Sequence, residues 1–238
     1  MEIRKNLVDA SKYGTKCPYT MNPEFITVHN TYNDATANNE VAYMIRNDNQ
    51  VSFHIAVDDK EAVQGIPLER NAWHCGDGGG NGNRKSIGVE ICYSLNGGER
   101  YYKAEDNAAI VVAQLMKQYN IPISKVRTHQ SWSGKYCPHR MLDEGRWNSF
   151  IERVQNAYNG RGNNMKWTMK SGGLGVNLAQ EIMDKLAEFK VKGDLVYEGD
   201  GIFYLQCEPV DDRNKLGAIT WYFKDYKDWY CEVYQVQA

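Results

Sequence analysis

Five side chains, far apart along the chain, are of the types that carry out metal-assisted hydrolysis: His29, Glu90, His129, Lys135 and Cys137. A catalytic zinc takes three protein ligands and keeps a fourth position for water, with His and Cys among its preferred donors. His29 stands at the end of an apolar run. His129 and Cys137 flank Gln130-Ser131-Trp132-Ser133-Gly134-Lys135-Tyr136, a loop long enough to fold back and bring both side chains together. This His-x7-Cys spacing matches no zinc-finger pattern, so by spacing alone a packed core histidine and a buried cysteine are the commoner reading. Glu90 interrupts an otherwise apolar stretch, with Val89 and Ile91 on the opposite face of a strand. In a cleft beside a metal it would take a proton from water; on a solvated face it would do nothing. Lys135 either stabilises an oxyanion or is an ordinary exposed loop lysine.

These residues need a frame. Glu24–His29, Val51–Val57 and Ile87–Cys92 read as strands, the first carrying His29 at its end. Glu40–Arg46, Glu105–Tyr119 and Gly145–Tyr158 read as helices. Ile110, Val111, Leu115 and Met116 lie at helical spacing in the second of these, and Pro122 follows its end. Strands separated by helices predict an α/β fold for residues 1–158, a mixed central β-sheet flanked by helices. Residues 159–164, Asn-Gly-Arg-Gly-Asn-Asn, read as a linker. Residues 165–238 predict a small α+β domain in the order strand, helix, two strands, helix, strand. Its first strand covers Met165–Met169 and its first helix Val176–Phe189. A turn at Gly199-Asp200-Gly201 follows, then a helix from Asp211-Asp212 and a last strand over Trp229–Val236.

All five histidines precede the linker, so histidine chemistry belongs to residues 1–158. The net charge of −2 over 238 residues argues against nucleic acid as a partner. No long apolar run predicts membrane insertion. The start, Met1-Glu2-Ile3-Arg4-Lys5-Asn6, lacks a signal peptide's apolar segment, so synthesis in a cytoplasm and reduced cysteines, one of them available to metal, are expected. The glycine-rich stretch Gly76–Asn83 reads as a flexible loop bordering a cleft, and its glycine pattern is not a dinucleotide fingerprint.

Five segments occur in an order that resembles the type 2 N-acetylmuramoyl-L-alanine amidase family, which includes phage lysozyme-like amidases and peptidoglycan recognition proteins. They are Thr27-Val28-His29, Ser52-Phe53-His54, Ala72-Trp73-His74, Ser86-Ile87-Gly88-Val89-Glu90 and Thr128-His129 through Lys135-Tyr136-Cys137-Pro138. The resemblance covers about residues 1–158 and is strongest to endolysins of Bacillus phages and prophages. It implies Zn2+ held by His29, His129 and Cys137. It also implies hydrolysis, by a zinc-activated water, of the amide joining N-acetylmuramic acid to L-alanine, with Glu90 and Lys135 catalytic. Many relatives carry a catalytic tyrosine where this chain has Phe53, which lacks a hydroxyl, so the burden falls on Glu90. His54 is expected to support the structure; His74 either lines the cleft or packs.

The tail resembles the cell-wall-binding domain of such endolysins. Trp221, Tyr222, Trp229 and Tyr230 either stack on sugars or fill a core. The implied partners are bacterial peptidoglycan and wall carbohydrate. The implied location is the host bacterial cytoplasm, then the wall after holin-type release. Three other readings stay open: a non-catalytic peptidoglycan-recognition module, a cysteine peptidase of the peptide stem with Cys137 as nucleophile and His129 as base, and a cytosolic amidase recycling wall fragments.

Overall fold

Alternation along two strands organises the first half of the chain. In β2 (Phe25–Asn30) and β5 (Ser86–Ile91), Ile26, Val28, Ile87, Val89 and Ile91 are all fully buried. The intervening positions carry Thr27, His29, Ser86, Gly88 and Glu90. With a period of two, one face of this strand pair is core and the other polar. The two strands run parallel, pairing His29 with Glu90, so both side chains project from the same face.

The structure is a computed structural model describing residues 1–160, 165–211 and 213–237. The chain divides into two compact units, Met1–Asn163 and Asn164–Ala238. Residues 161–164 of the expected linker and Asp212 of the expected helix start lie outside the described residues.

The first unit is built on a six-stranded mixed sheet. With β1 (Ile3–Lys5), β3 (Ile55–Val57), β4 (Ala62–Gln64) and β6 (Val126–Thr128), its order is β1-β4-β3-β5-β2-β6. Only the β3–β4 pair is antiparallel. Around the sheet lie α1 (Tyr13–Lys16), α2 (Ala37–Arg46), α3 (Asn81–Lys85), α4 (Gly98–Tyr119), α5 (Gln130–Ser133), α6 (His139–Asp143) and α7 (Trp147–Tyr158). This is the expected α/β layering. The helix α2 begins at Ala37 rather than Glu40, because the Thr36 hydroxyl caps it by accepting from Asn39 N at 3.2 Å.

Regular pairing in the second expected strand is confined to Ile55–Val57. Upstream, isolated backbone bonds (Ser52 N to Trp73 O and His54 N to Gly88 O, both 3.1 Å) are joined by the Ser52 side chain, whose Oγ donates to Lys16 O at 2.6 Å and accepts from Trp73 N at 2.9 Å. Helix α4 is locked to α7 by Glu105, fully buried, which accepts from both Arg146 (2.9 Å) and Arg153.

The second unit is an antiparallel sheet with helices. It comprises β7 (Met165–Ser171), β8 (Leu174–Gly175), β9 (Gly193–Gly199), β10 (Ile202–Cys207) and β11 (Cys231–Gln237), with α8 (Ala179–Phe189) and α9 (Gly217–Trp221). Strand β10 pairs with β9 through the hairpin at Asp200-Gly201, where both residues have positive φ (52° and 75°), and with β7 and β8. Ile182, Leu186, Phe203, Leu205, Ile219 and Phe223 form its core. The four tail aromatics divide: Tyr222 is buried and Trp229 packs on the core, whereas Trp221 and Tyr230 are 53% and 69% exposed.

Candidate metal centre

His29 sits at the C-terminal end of β2, and β6 runs parallel beside it, pairing Val28 with Thr128. The next residue, His129, therefore emerges next to His29. The chain then makes the short helix α5, and Gln130 N donates to Cys137 O at 3.0 Å, closing the loop. Cys137 returns to the same place, ahead of a cis bond to Pro138. The structure thus brings His29, His129 and Cys137 together. His29 Nδ1 lies 3.1 Å from His129 Nδ1 and 3.8 Å from Cys137 Sγ, and all three donor atoms fall within 4.8 Å of one another. All three residues are buried.

The two separations from His29 compare well with the edges of a zinc polyhedron. Zn–N of about 2.05 Å and Zn–S of about 2.3 Å give tetrahedral edges of about 3.3 Å between nitrogens and about 3.6 Å between nitrogen and sulfur. The 3.1 and 3.8 Å separations are close to these edges. A second group of donors, His29, His74 and Cys75, also converges. Its separations, 2.9 Å for His29 Nε2 to His74 Nδ1 and 3.1 Å for His74 Nδ1 to Cys75 Sγ, fall further below those edges than the first group's do.

Burial keeps the imidazoles neutral. It pushes His29 and His74 well below the ordinary histidine range, with neighbouring histidines adding to the effect. His129 is lowered by burial and then by the charge of Lys135. Neutral rings are the form that binds metal. Burial, then the charge of Glu90, pushes the Cys137 thiol up to about 12.

Glu90, level with His29 on β5, is half-buried, and its buried Oε2 has no hydrogen-bond partner among the described residues. Burial raises its carboxyl to about 8; the charge of Glu40 adds to this and that of Lys135 opposes it. Lys135 is exposed on the loop, close enough for its charge to act on His29, His129, Glu90 and Cys137. His54 faces away from this cluster's donors: its Nδ1 accepts from Gly88 N and its Nε2 donates to Arg70 O, both at 2.9 Å. Phe53 is 7% exposed and belongs to the core.

The glycine-rich loop carries side-chain hydrogen bonds that its composition does not announce. Asp77 accepts from Gly82 N (2.7 Å) and Asn83 N (3.0 Å), which starts α3. Asn83 Oδ1 in turn accepts from the backbone N–H groups of His74 and Cys75, each at 2.8 Å. An Asp four residues ahead of a possible helix start is the signal that would have revealed this capping arrangement.

The Amidase_2 family model, described as N-acetylmuramoyl-L-alanine amidase, matches residues 19–140. The Bacillus sp protein "N-acetylmuramoyl-L-alanine amidase CwlA" is 64% identical over 157 residues, covering 66% of this chain and 62% of that protein. Bacillus subtilis (strain 168) "N-acetylmuramoyl-L-alanine amidase XlyB" is 58% identical over 159 residues, covering 66% of this chain and 50% of that protein. The chain thus spans between half and two thirds of these curated relatives. The solved structure of PlyL is 76% identical and superposes with a TM-score of 0.64, over 65% of this chain and 97% of that one. The stretch matched by the family model takes in His29, Glu90, His129 and Cys137 and amounts to just over half of the 238 residues, and on that evidence the chain belongs to the N-acetylmuramoyl-L-alanine amidase family.

Proposed function

We propose that this chain hydrolyses the amide between N-acetylmuramic acid and L-alanine in bacterial peptidoglycan, as an endolysin-type enzyme dependent on zinc held by His29, His129 and Cys137. The observation that carries the proposal is the convergence of those three donors beside a buried, unpartnered carboxylate oxygen of Glu90.

When bound, zinc supplies Lewis acidity, polarising a carbonyl and lowering the pKa of water toward about 7. His29 and His129 offer ring lone pairs, and Cys137 gives up its thiol proton on loading. Glu90 is the proton carrier. Raised to about 8, the Glu90 carboxyl has both forms within reach of neutrality: its ionised form takes a proton from the attacking water, and the acid so formed returns it to the departing alanine amine. Lys135 places a positive charge where the carbonyl oxygen becomes negative. Phe53 has no proton to give and takes no part.

The second unit we assign to wall carbohydrate, with exposed Trp221 and Tyr230 as the stacking surface. Delivery from the host cytoplasm to the wall through a holin-type lesion belongs to the same proposal. No helix of the described residues is long and apolar enough to cross a membrane.

A cysteine-peptidase reading of Cys137 is disfavoured, because a nucleophilic cysteine needs a lowered thiol pKa and this one is raised. The deciding experiment combines bond identification with metal analysis. Digestion of purified wall should release L-alanine amino termini. Glu90→Ala should lose turnover by about 10²–10⁴-fold while keeping one zinc per chain. Cys137→Ser should lose the zinc as well. Full activity after chelation, or cleavage within the peptide stem, would refute the proposal.

A further inference from the structure

We infer that His74 is a positioning residue that fixes the tautomer of His29, leaving a lone pair on His29 Nδ1 toward His129 and Cys137. This role rests on the zinc reading of that triad; its hydrogen-bond logic holds without the metal.

The chain of reasoning starts at a group that can only accept. The backbone carbonyl of Ser86 lies 3.2 Å from His74 Nε2, so that nitrogen carries the ring proton and donates it. A neutral imidazole has one ring proton, so His74 Nδ1 is bare. His29 Nε2 lies 2.9 Å from it and must be the donor. His29 then has no second proton, and its Nδ1 faces His129 Nδ1 and Cys137 Sγ as a free lone pair. The Cys75 thiol agrees with this arrangement. Its Sγ lies 3.1 Å from His74 Nδ1, a bare nitrogen in this arrangement, and 3.7 Å from Thr27 Oγ1.

His74 is itself clamped. Asn83 Oδ1 binds its backbone N–H, and its ring lies directly on β5 at Gly88. A Cβ at Gly88 would come within 2.8 Å of His74 Nδ1 and 2.9 Å of Cγ, closer than real Cβ atoms approach, so only glycine admits the ring there. The relay also favours the other group of donors over His29, His74 and Cys75, because it places a proton on the His29 nitrogen that faces His74.

Ligand-orienting partners of this kind typically change metal affinity by about 10–100-fold when removed. The test uses the full chain. Long-range ¹H–¹⁵N NMR of the metal-free protein should show His29 and His74 both as Nε2–H tautomers. Zinc affinity, read by competition with a chromophoric chelator, should fall about 10–100-fold in His74→Leu. In His74→Asn the amide Oδ1 takes the place of Nδ1 and should restore binding to within a few-fold of the parent. A His29 found as Nδ1–H overturns the inference with no variant needed. So does a folded His74→Leu protein that binds zinc as tightly as the parent. If the parent bound no zinc yet showed His29 as Nε2–H, the zinc reading would fail while the tautomer assignment stood.

Discussion

Replacing Glu90 with Gln should make the metal-free protein more stable at neutral pH, by an amount that depends on pH. Burial raises the Glu90 carboxyl from 4.5 to about 8 in the folded chain. Below the unfolded value both states hold the proton, and Glu90 has no cost of this kind. Above 4.5 the unfolded chain releases its proton while the folded chain keeps it, so folding becomes less favourable as pH rises, levelling off past about 8. Each unit is worth about 1.4 kcal/mol, so the deficit at pH 7 is roughly 3 kcal/mol. Gln has nearly the same shape and no proton to lose. In urea unfolding of chelator-treated protein, the Glu90→Gln advantage should be small at pH 4.5 and grow to about 3 kcal/mol at pH 7. For a unit of this size that corresponds to a rise in Tm of roughly 6–12 °C. Parallel stability curves for the two proteins from pH 4.5 to pH 8 would refute the reasoning, because they would mean that Glu90 titrates alike in both states. The expected result also makes Glu90 a residue kept at the expense of stability, as functional carboxylates often are.

Two further perturbations probe the frame and the second unit. Glu105→Ala strips the buried acceptor from Arg146 and Arg153 and should destabilise the first unit by about 3–5 kcal/mol in urea unfolding, with α7 loosening from α4. A loss below 1 kcal/mol would mean that the pair is not what joins the two helices. Trp221→Ala with Tyr230→Ala should reduce co-sedimentation with purified walls several-fold, while stability changes by no more than about 0.5 kcal/mol per site. Undiminished wall binding would move the carbohydrate surface elsewhere.

The strands bearing His29 and Glu90 were legible because β-branched and other apolar residues recur at every second position along them. The length of the loop allowed its return to Cys137 but did not require it. Strands β1, β4 and β6 were not legible: three residues hold no period, and their pairing is decided by what lies beside them. Glycine content made residues 76–83 look mobile, yet two side chains, Asp77 and Asn83, supply the hydrogen bonds that composition does not count. His74 was left between cleft and packing because its role depends on Ser86 and His29, which only the folded chain brings to it. Among the aromatics, exposure separates Trp221 and Tyr230 from Tyr222 and Trp229, and sequence has no access to it.

Odd and even positions along β2 and β5 hold separate offices. A substitution at Ile26, Val28, Ile87 or Val89 is felt first as a packing defect, whereas one at His29 or Glu90 is felt first as chemistry, although Val28 and Val89 adjoin them in the chain. Inserting one residue into either strand would exchange the two sets, turning an imidazole or a carboxylate into the oily layer and a valine or isoleucine toward the donors. Such an insertion should therefore ruin folding and hydrolysis together, while paired substitutions within one parity class should let the two properties be tuned apart.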